Sequence, residues 1–126
     1  AIQVLPNLVP GPAPVILHMH EWHTALAVVY LRALGKGDPF ADLVATVLSV
    51  HNGGFQGHFP REVMAEMGLP NELYHMDAME WYGRTNVLKG GLVFTDMATT
   101  VSPSHSFELR TEAGGVWPSS HIPGPP

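Results

Sequence analysis

Apolar residues in this chain come in short blocks that alternate between two spacings. Val15-Ile16-Leu17 is a continuous apolar run ending in His18, the pattern of a short strand buried on both faces. Thr24 to Leu34 consists of good helix formers, and a helix there places Leu26, Val29, Tyr30 and Ala33 on one face. Gly35 and Gly37 then suit a left-handed helix end. Leu43 to Val50 is again apolar and β-branched, predicting a second buried strand. After the glycine-rich stretch 53–57, Pro60 is well placed to open a helix through Met67 that Gly68 closes. Residues 70–82 give mixed signals and read as loop with a short helical piece.

Val87 to Phe94 predicts a helix in which Gly90 and Gly91 allow a neighbour to approach closely. Ala98 to Val101 predicts a third strand, and Pro103 to Leu109 another helix with Ser102 as its cap. Strands alternating with helices point to right-handed βαβ units, hence an α/β domain with an open parallel sheet flanked by helices. Residues 1–14, rich in proline, read as a connector, 15–112 as the folded domain, and 113–126 as a disordered tail.

Composition narrows the function classes. The chain has 126 residues, enough for one core, with 45% apolar and 13% charged residues. A formal charge of −5 with only six Lys and Arg argues against nucleic acid as a partner, since phosphate neutralisation needs clustered cations. There is no cysteine, hence no disulfide framework or thiolate metal site, which fits a cytoplasmic setting. No apolar run approaches the ~20 residues of a membrane span, so no membrane partner is expected.

Chemistry concentrates where the first two apolar runs stop. His18-Met19-His20-Glu21-Trp22-His23 follows the first and His51-Asn52-Gly53-Gly54-Phe55-Gln56-Gly57 the second. In an open α/β sheet, ligands bind outside the carboxyl ends of the strands, which makes both clusters site candidates and His51 the best placed. One reading is a metal-dependent hydrolase using His18, His20, His23 and His51, with His20 and His23 sharing a helix face. The spacing is not that of H-E-x-x-H. The plainer reading makes His18 a hydrogen-bonded strand-end histidine, Glu21 a carboxylate favoured near a helix start, and Trp22 a core side chain. The glycines at 53–57 let backbone approach a ligand, and nearby helix starts offer N–H groups to phosphate. His58, His75, His105 and His121 read as surface or loop residues.

Taken in order, these segments resemble bacterial glycogen synthases and plant starch synthases. His18-Met19-His20-Glu21-Trp22-His23 is similar to that family's His-Ala-His-Asp-Trp-His. Four further stretches follow collinearly: Thr46 to Asn52 running into Phe55-Gln56-Gly57, Phe59 to Val63, Glu80 to Gly83 with Asn86 to Leu92, and Thr99 to Pro103. The resemblance covers about residues 15–110. It implies one part of a two-domain, Rossmann-like glycosyltransferase B fold. The implied activity is retaining transfer of glucose from ADP-glucose to the non-reducing end of an α-1,4-glucan, with no cofactor and no required metal. By the same resemblance His51 lies by the donor glucose and Glu21 lines the acceptor side, as the catalytic pair. Asn52, Trp22, His23, Gln56 and Gly57 are the substrate-binding candidates. Glu21 is one methylene longer than the family's Asp, and Gly53-Gly54 replaces the usual Leu-Ala. The family's N-terminal Lys-Thr-Gly-Gly loop and its C-terminal domain find no counterpart in this sequence. The isolated chain is therefore expected to be weakly active or inactive, to serve alternatively as a glucan- or nucleotide-binding remnant or subunit, and to self-associate through an exposed sheet edge.

Overall fold

The computed structural model describes residues 5–9, 11, 14–109 and 111. The tail 113–126, with His121, lies outside the described residues. Within the opening segment, α1 (Leu5–Leu8) makes one helical turn, with Pro6 in the turn where a missing N–H leaves no bond unmade.

Three strands form the main sheet: β1 (Val15–His20), β2 (Val44–Val50) and β6 (Met97–Thr100), in the order β1-β2-β6 and all parallel. The register aligns Val15 with Val44 and His20 with Ser49, so β1 and β2 end side by side. Between them run α2 (Glu21–Ala33) and the short α3 (Pro39–Asp42), which Asp38 caps by accepting from the Phe40 N–H at 2.9 Å. A second, antiparallel sheet follows, ordered β3-β5-β4 from β3 (His58–Phe59), β4 (Glu80–Trp81) and β5 (Arg84–Asn86). Helices α4 (Val63–Glu66), α5 (Val87–Phe94) and α6 (Pro103–Leu109) complete the order. The parallel sheet flanked by helices agrees with the sequence-based expectation.

Several local expectations are corrected. β1 is not buried on both faces: its burial alternates, and Ile16 is 72% exposed. Val15, Leu17 and Met19 lie on its covered face and Ile16, His18 and His20 on the open one, so period two replaces the continuous pattern. On α2 the fully buried residues are Ala25, Val28, Val29 and Leu31, with Leu26 and Tyr30 at the margin. The helix is apolar nearly all round, so composition alone does not fix which stripe faces the core. The predicted 60–67 helix is helical only at Val63–Glu66, within a run of turns.

The core lies between the sheet and the α2–α5 pair. Leu48, Val28, Val29, Val50, Val87, Leu88 and Met79 are fully buried there. Gly91 explains the close fit: a Cβ there would meet the Ala25 Cβ at 2.5 Å and Leu48 Cδ2 at 2.9 Å. A Cβ at Gly90 would meet Met79 Cγ at 2.8 Å. The two glycines thus let the helices pack nearly backbone to backbone, as expected.

At the opposite end of the sheet, Asp96 ties three elements together. Its Oδ2 accepts from the Thr46 N–H (2.7 Å), the Thr46 hydroxyl (2.8 Å) and the Arg32 guanidinium (2.8 Å). Burial alone would raise this carboxyl, but the Thr46 donors and Arg32 outweigh it and hold it below the ordinary carboxylate range.

Candidate functional site at the strand ends

The carboxyl ends of β1 and β2 bring the two polar clusters together, as the shared register requires. Glu21, the first residue of α2, has φ +66°, a left-handed conformation that costs about 1–2 kcal/mol for a residue with a Cβ. From this bend its Oε1 accepts the backbone N–H of His51 at 2.5 Å and of Asn52 at 3.0 Å. The carboxylate therefore ties the start of α2 to the loop after β2. Thr24 braces the same bend, accepting from the His20 N–H (2.8 Å) and donating to the His20 carbonyl (2.6 Å).

The histidines form a connected row. His18 Nε2 lies 2.8 Å from Ser49 Oγ, which lies 2.6 Å from Thr99 Oγ1. The His18 and His20 rings have centroids 4.3 Å apart, and His20 Nδ1 lies 3.0 Å from His51 Nε2. His18 is thus the hydrogen-bonded strand-end histidine of the plainer reading. His20 belongs to β1 and His23 to α2, so the pair does not share the helix face that the metal reading offered. Among the described residues no group of three His, Asp or Glu is placed to hold a metal ion.

Trp22 packs locally. Its ring stacks on His23 with centroids 4.0 Å apart and lies 5.9 Å from the Phe59 ring. Gly57 abuts the indole: a Cβ there would meet Trp22 Cε3 at 2.4 Å, and its φ of +66° independently favours glycine. Gln56 is held at both ends of its amide, donating to the Gly53 carbonyl (2.9 Å) and accepting from Asn86 Nδ2 (2.7 Å). Asn52 folds its own loop by accepting from the Gly54 N–H at 2.9 Å.

The start of α5, which follows β5, is not free for phosphate. The first N–H groups of α5 donate to the Gly57 carbonyl (Val87, 3.1 Å), the Gln56 carbonyl (Leu88, 2.9 Å) and Asn86 Oδ1 (Lys89, 2.9 Å). At α5 these donors are taken, two by carbonyls of the glycine loop and one by Asn86, whereas the start of α2 has no side-chain cap and is not closed in this way.

Sequence reasoning missed Lys89. It is buried, its ammonium donating to the carbonyls of Met76 and Glu80 (2.5 Å for the latter) and lying 5.2 Å from the Trp81 ring centroid. Burial pulls it below the usual lysine range, with Glu80 and Asp77 opposing. A lone lysine among apolar residues was the signal available. Ser102 caps α6 as expected, accepting from the His105 N–H at 3.1 Å. His58 is drawn below the usual imidazole range by burial and then by Arg84. A groove of about 800 Å³ runs along the outer side of α2, lined by Tyr30, Leu34 and Phe40 among others. Of the sequence-predicted site residues, His23 alone lines it.

Polar groups gathered where parallel strands end, next to a glycine-rich loop, make this end of the sheet the candidate ligand-facing rim of the α/β domain. Comparison with known proteins gives the family of the domain. Residues 1–118 match the family model of the starch synthase catalytic domain. The glycogen synthase of Pseudothermotoga lettingae is 47% identical over 100 residues, covering 79% of this chain and 21% of that protein. That of Thermotoga maritima is 45% identical over 102 residues, covering 81% and 21%. Glycogen synthase 2 of Rhizobium meliloti is 42% identical over 116 residues, covering 92% and 23%. A solved structure, the catalytic domain of Starch Synthase IV from Arabidopsis thaliana bound to ADP and acarbose, matches with a TM-score of 0.74 at 30% identity, over 90% of this chain and 23% of that one. The chain belongs to the starch synthase catalytic-domain family, and its sheet is part of that glycosyltransferase B fold. It spans about a fifth of the length of the relatives it matches.

Proposed function

We propose that this chain forms one wall of a glucosyl-transfer cleft in a cytoplasmic glycogen or starch synthase. The donor would be ADP-glucose, and the acceptor the non-reducing end of an α-1,4-glucan. The observation that carries this reading is the Glu21 carboxylate bound to the N–H groups of His51 and Asn52, because it holds at one rim two of the segments that resemble the family. His51 is assigned to the donor glucose. Glu21 contributes by fixing the backbone of His51 and Asn52, while Trp22, His23, Gln56 and Gly57 shape the loop beside them. The ADP and acarbose named for the Arabidopsis neighbour support a nucleotide sugar and a glucan as ligand classes.

The test is a graft. Residues 15–109 put in place of the matching segment of the Thermotoga maritima glycogen synthase are expected to preserve glucan elongation from ADP-glucose. His51→Ala in that chimera is expected to lower turnover by roughly 100-fold or more, the effect of losing one preorganised polar group at a reacting centre. A folded chimera without turnover, or an undiminished His51→Ala chimera, overturns the reading. The 126-residue chain alone is expected to incorporate little or no glucose. Heat on titration with maltooligosaccharides or ADP would instead mark a binding subunit. The β1 edge is proposed to pair with other chains, so light scattering is expected to show concentration-dependent association; a monomer at high concentration refutes that part.

A further inference from the structure

We infer that His20 is a positioning residue that fixes which nitrogen of His51 carries the proton, leaving His51 Nδ1 as a lone-pair acceptor. A neutral imidazole has one donor and one acceptor nitrogen, and the partner of one nitrogen decides the state of the other. The contact joins His20 Nδ1 to His51 Nε2 at 3.0 Å, so two arrangements satisfy it. In one, His51 Nε2–H donates to His20 Nδ1, and both rings are the Nε2–H tautomer, which a free histidine side chain prefers. In the other, His20 Nδ1–H donates, and both rings must take the less favoured Nδ1–H form. The first makes the same bond with neither ring in its poorer tautomer.

The surroundings hold this pair in place. The His20 ring lies against His18, which is tied through Ser49 to Thr99, so its position is set from the sheet. The backbone of His51 is held by Glu21. Ring and main chain of His51 are thus fixed by two consecutive residues of the neighbouring strand end. With Nε2 engaged, Nδ1 is the nitrogen left for a ligand, and as an acceptor it suits a hydroxyl rather than a phosphate oxygen. The link to sugar hydroxyls rests on the transfer reading; the tautomer assignment does not.

Nitrogen-15 NMR of the full chain with labelled histidine tests it, at about pH 8, above the ordinary histidine range. His51 is expected to show a pyrrole-type Nε2 and a pyridine-type Nδ1, further apart than in the same chain unfolded in urea. His20→Leu, which removes the acceptor, is expected to shrink that separation toward the unfolded value. His20→Asn places a carbonyl oxygen where Nδ1 was and is expected to restore it. A proton on His51 Nδ1, a separation no larger than in the unfolded chain, or no change in His20→Leu overturns the inference. So does a His20→Asn chain that fails to recover it. If His20→Leu does not fold, the wild-type and His20→Asn spectra decide. Glucose transfer plays no part in this measurement, so its outcome and that of the graft are independent.

Discussion

Glu21 and Ala25 stand one turn apart on α2, in opposite surroundings. Ala25 is fully buried, with no room between it and Gly91 for even one more carbon. Glu21 is bent into a left-handed conformation and spends its carboxylate on backbone groups of an exposed loop. The seam of α2 and α5 is held by shape, and the strand-end rim by hydrogen bonds. A strained polar turn persists because the helix it starts is anchored one turn later by packing that has few alternatives.

Breaking the seam is expected to have the largest effect. Gly91→Val must displace Ala25 and Leu48, and the nearest obstacles include the Ala25 Cα, at 3.2 Å from a Cβ. The expected loss is about 3 kcal/mol, read as a lower urea midpoint. If stability is unchanged, the seam is not close-packed. Gly57→Ala attacks the rim instead: it combines left-handed strain with a clash against Trp22, for about 2 kcal/mol. In a chain whose other two tryptophans are replaced by Phe, it should also move the Trp22 fluorescence, which Gly91→Val moves only by unfolding; an unshifted spectrum would contradict the Gly57–Trp22 contact.

Glu21 separates strain from bonding. Glu21→Ala loses the acceptor and keeps the strained φ, whereas Glu21→Gly loses the acceptor and relieves the strain. The glycine variant is therefore expected to be the more stable of the two by about 1 kcal/mol. Equal stabilities would mean that the turn is not left-handed in solution. The smallest effect is at Asp96. Its folded-state acidity is stronger than that of the unfolded chain, so below pH 3.8 the unfolded state binds more protons. The stabilisation is present above 3.8 and lost as pH falls toward the folded value. Asp96→Asn is expected to flatten that acid limb of Tm against pH without touching the rim, and an unaltered limb would argue against the Thr46–Arg32 anchor.

Much of the fold was legible because its signals are local. Val87–Phe94 carries its own helix pattern and its two glycines, and the runs ending at His18 and Val50 mark parallel strands by their β-branched, apolar character. What stayed hidden is relational. Two- and three-residue strands such as His58–Phe59 and Arg84–Asn86 are too short to display a period. The stripe of α2 that faces inward depends on where α5 lies. At the site, both polar clusters were visible and their meeting followed from the register. The left-handed turn at Glu21 was not, since glutamate has no preference for it, and Lys89, though a lone lysine among apolar residues, shows its burial only once the Met76 and Glu80 carbonyls are in place.

The closed start of α5 has a consequence for how labour is divided in any assembly that uses this rim. Gly57, Gln56 and Asn86 absorb the amide dipoles that would otherwise attract a diphosphate. With six Lys and Arg in the whole chain, and Lys89 among them turned inward, this surface has little with which to neutralise an anion. On the proposed transfer reading, the charge of a nucleotide donor would have to be met by groups other than the amides that open α5.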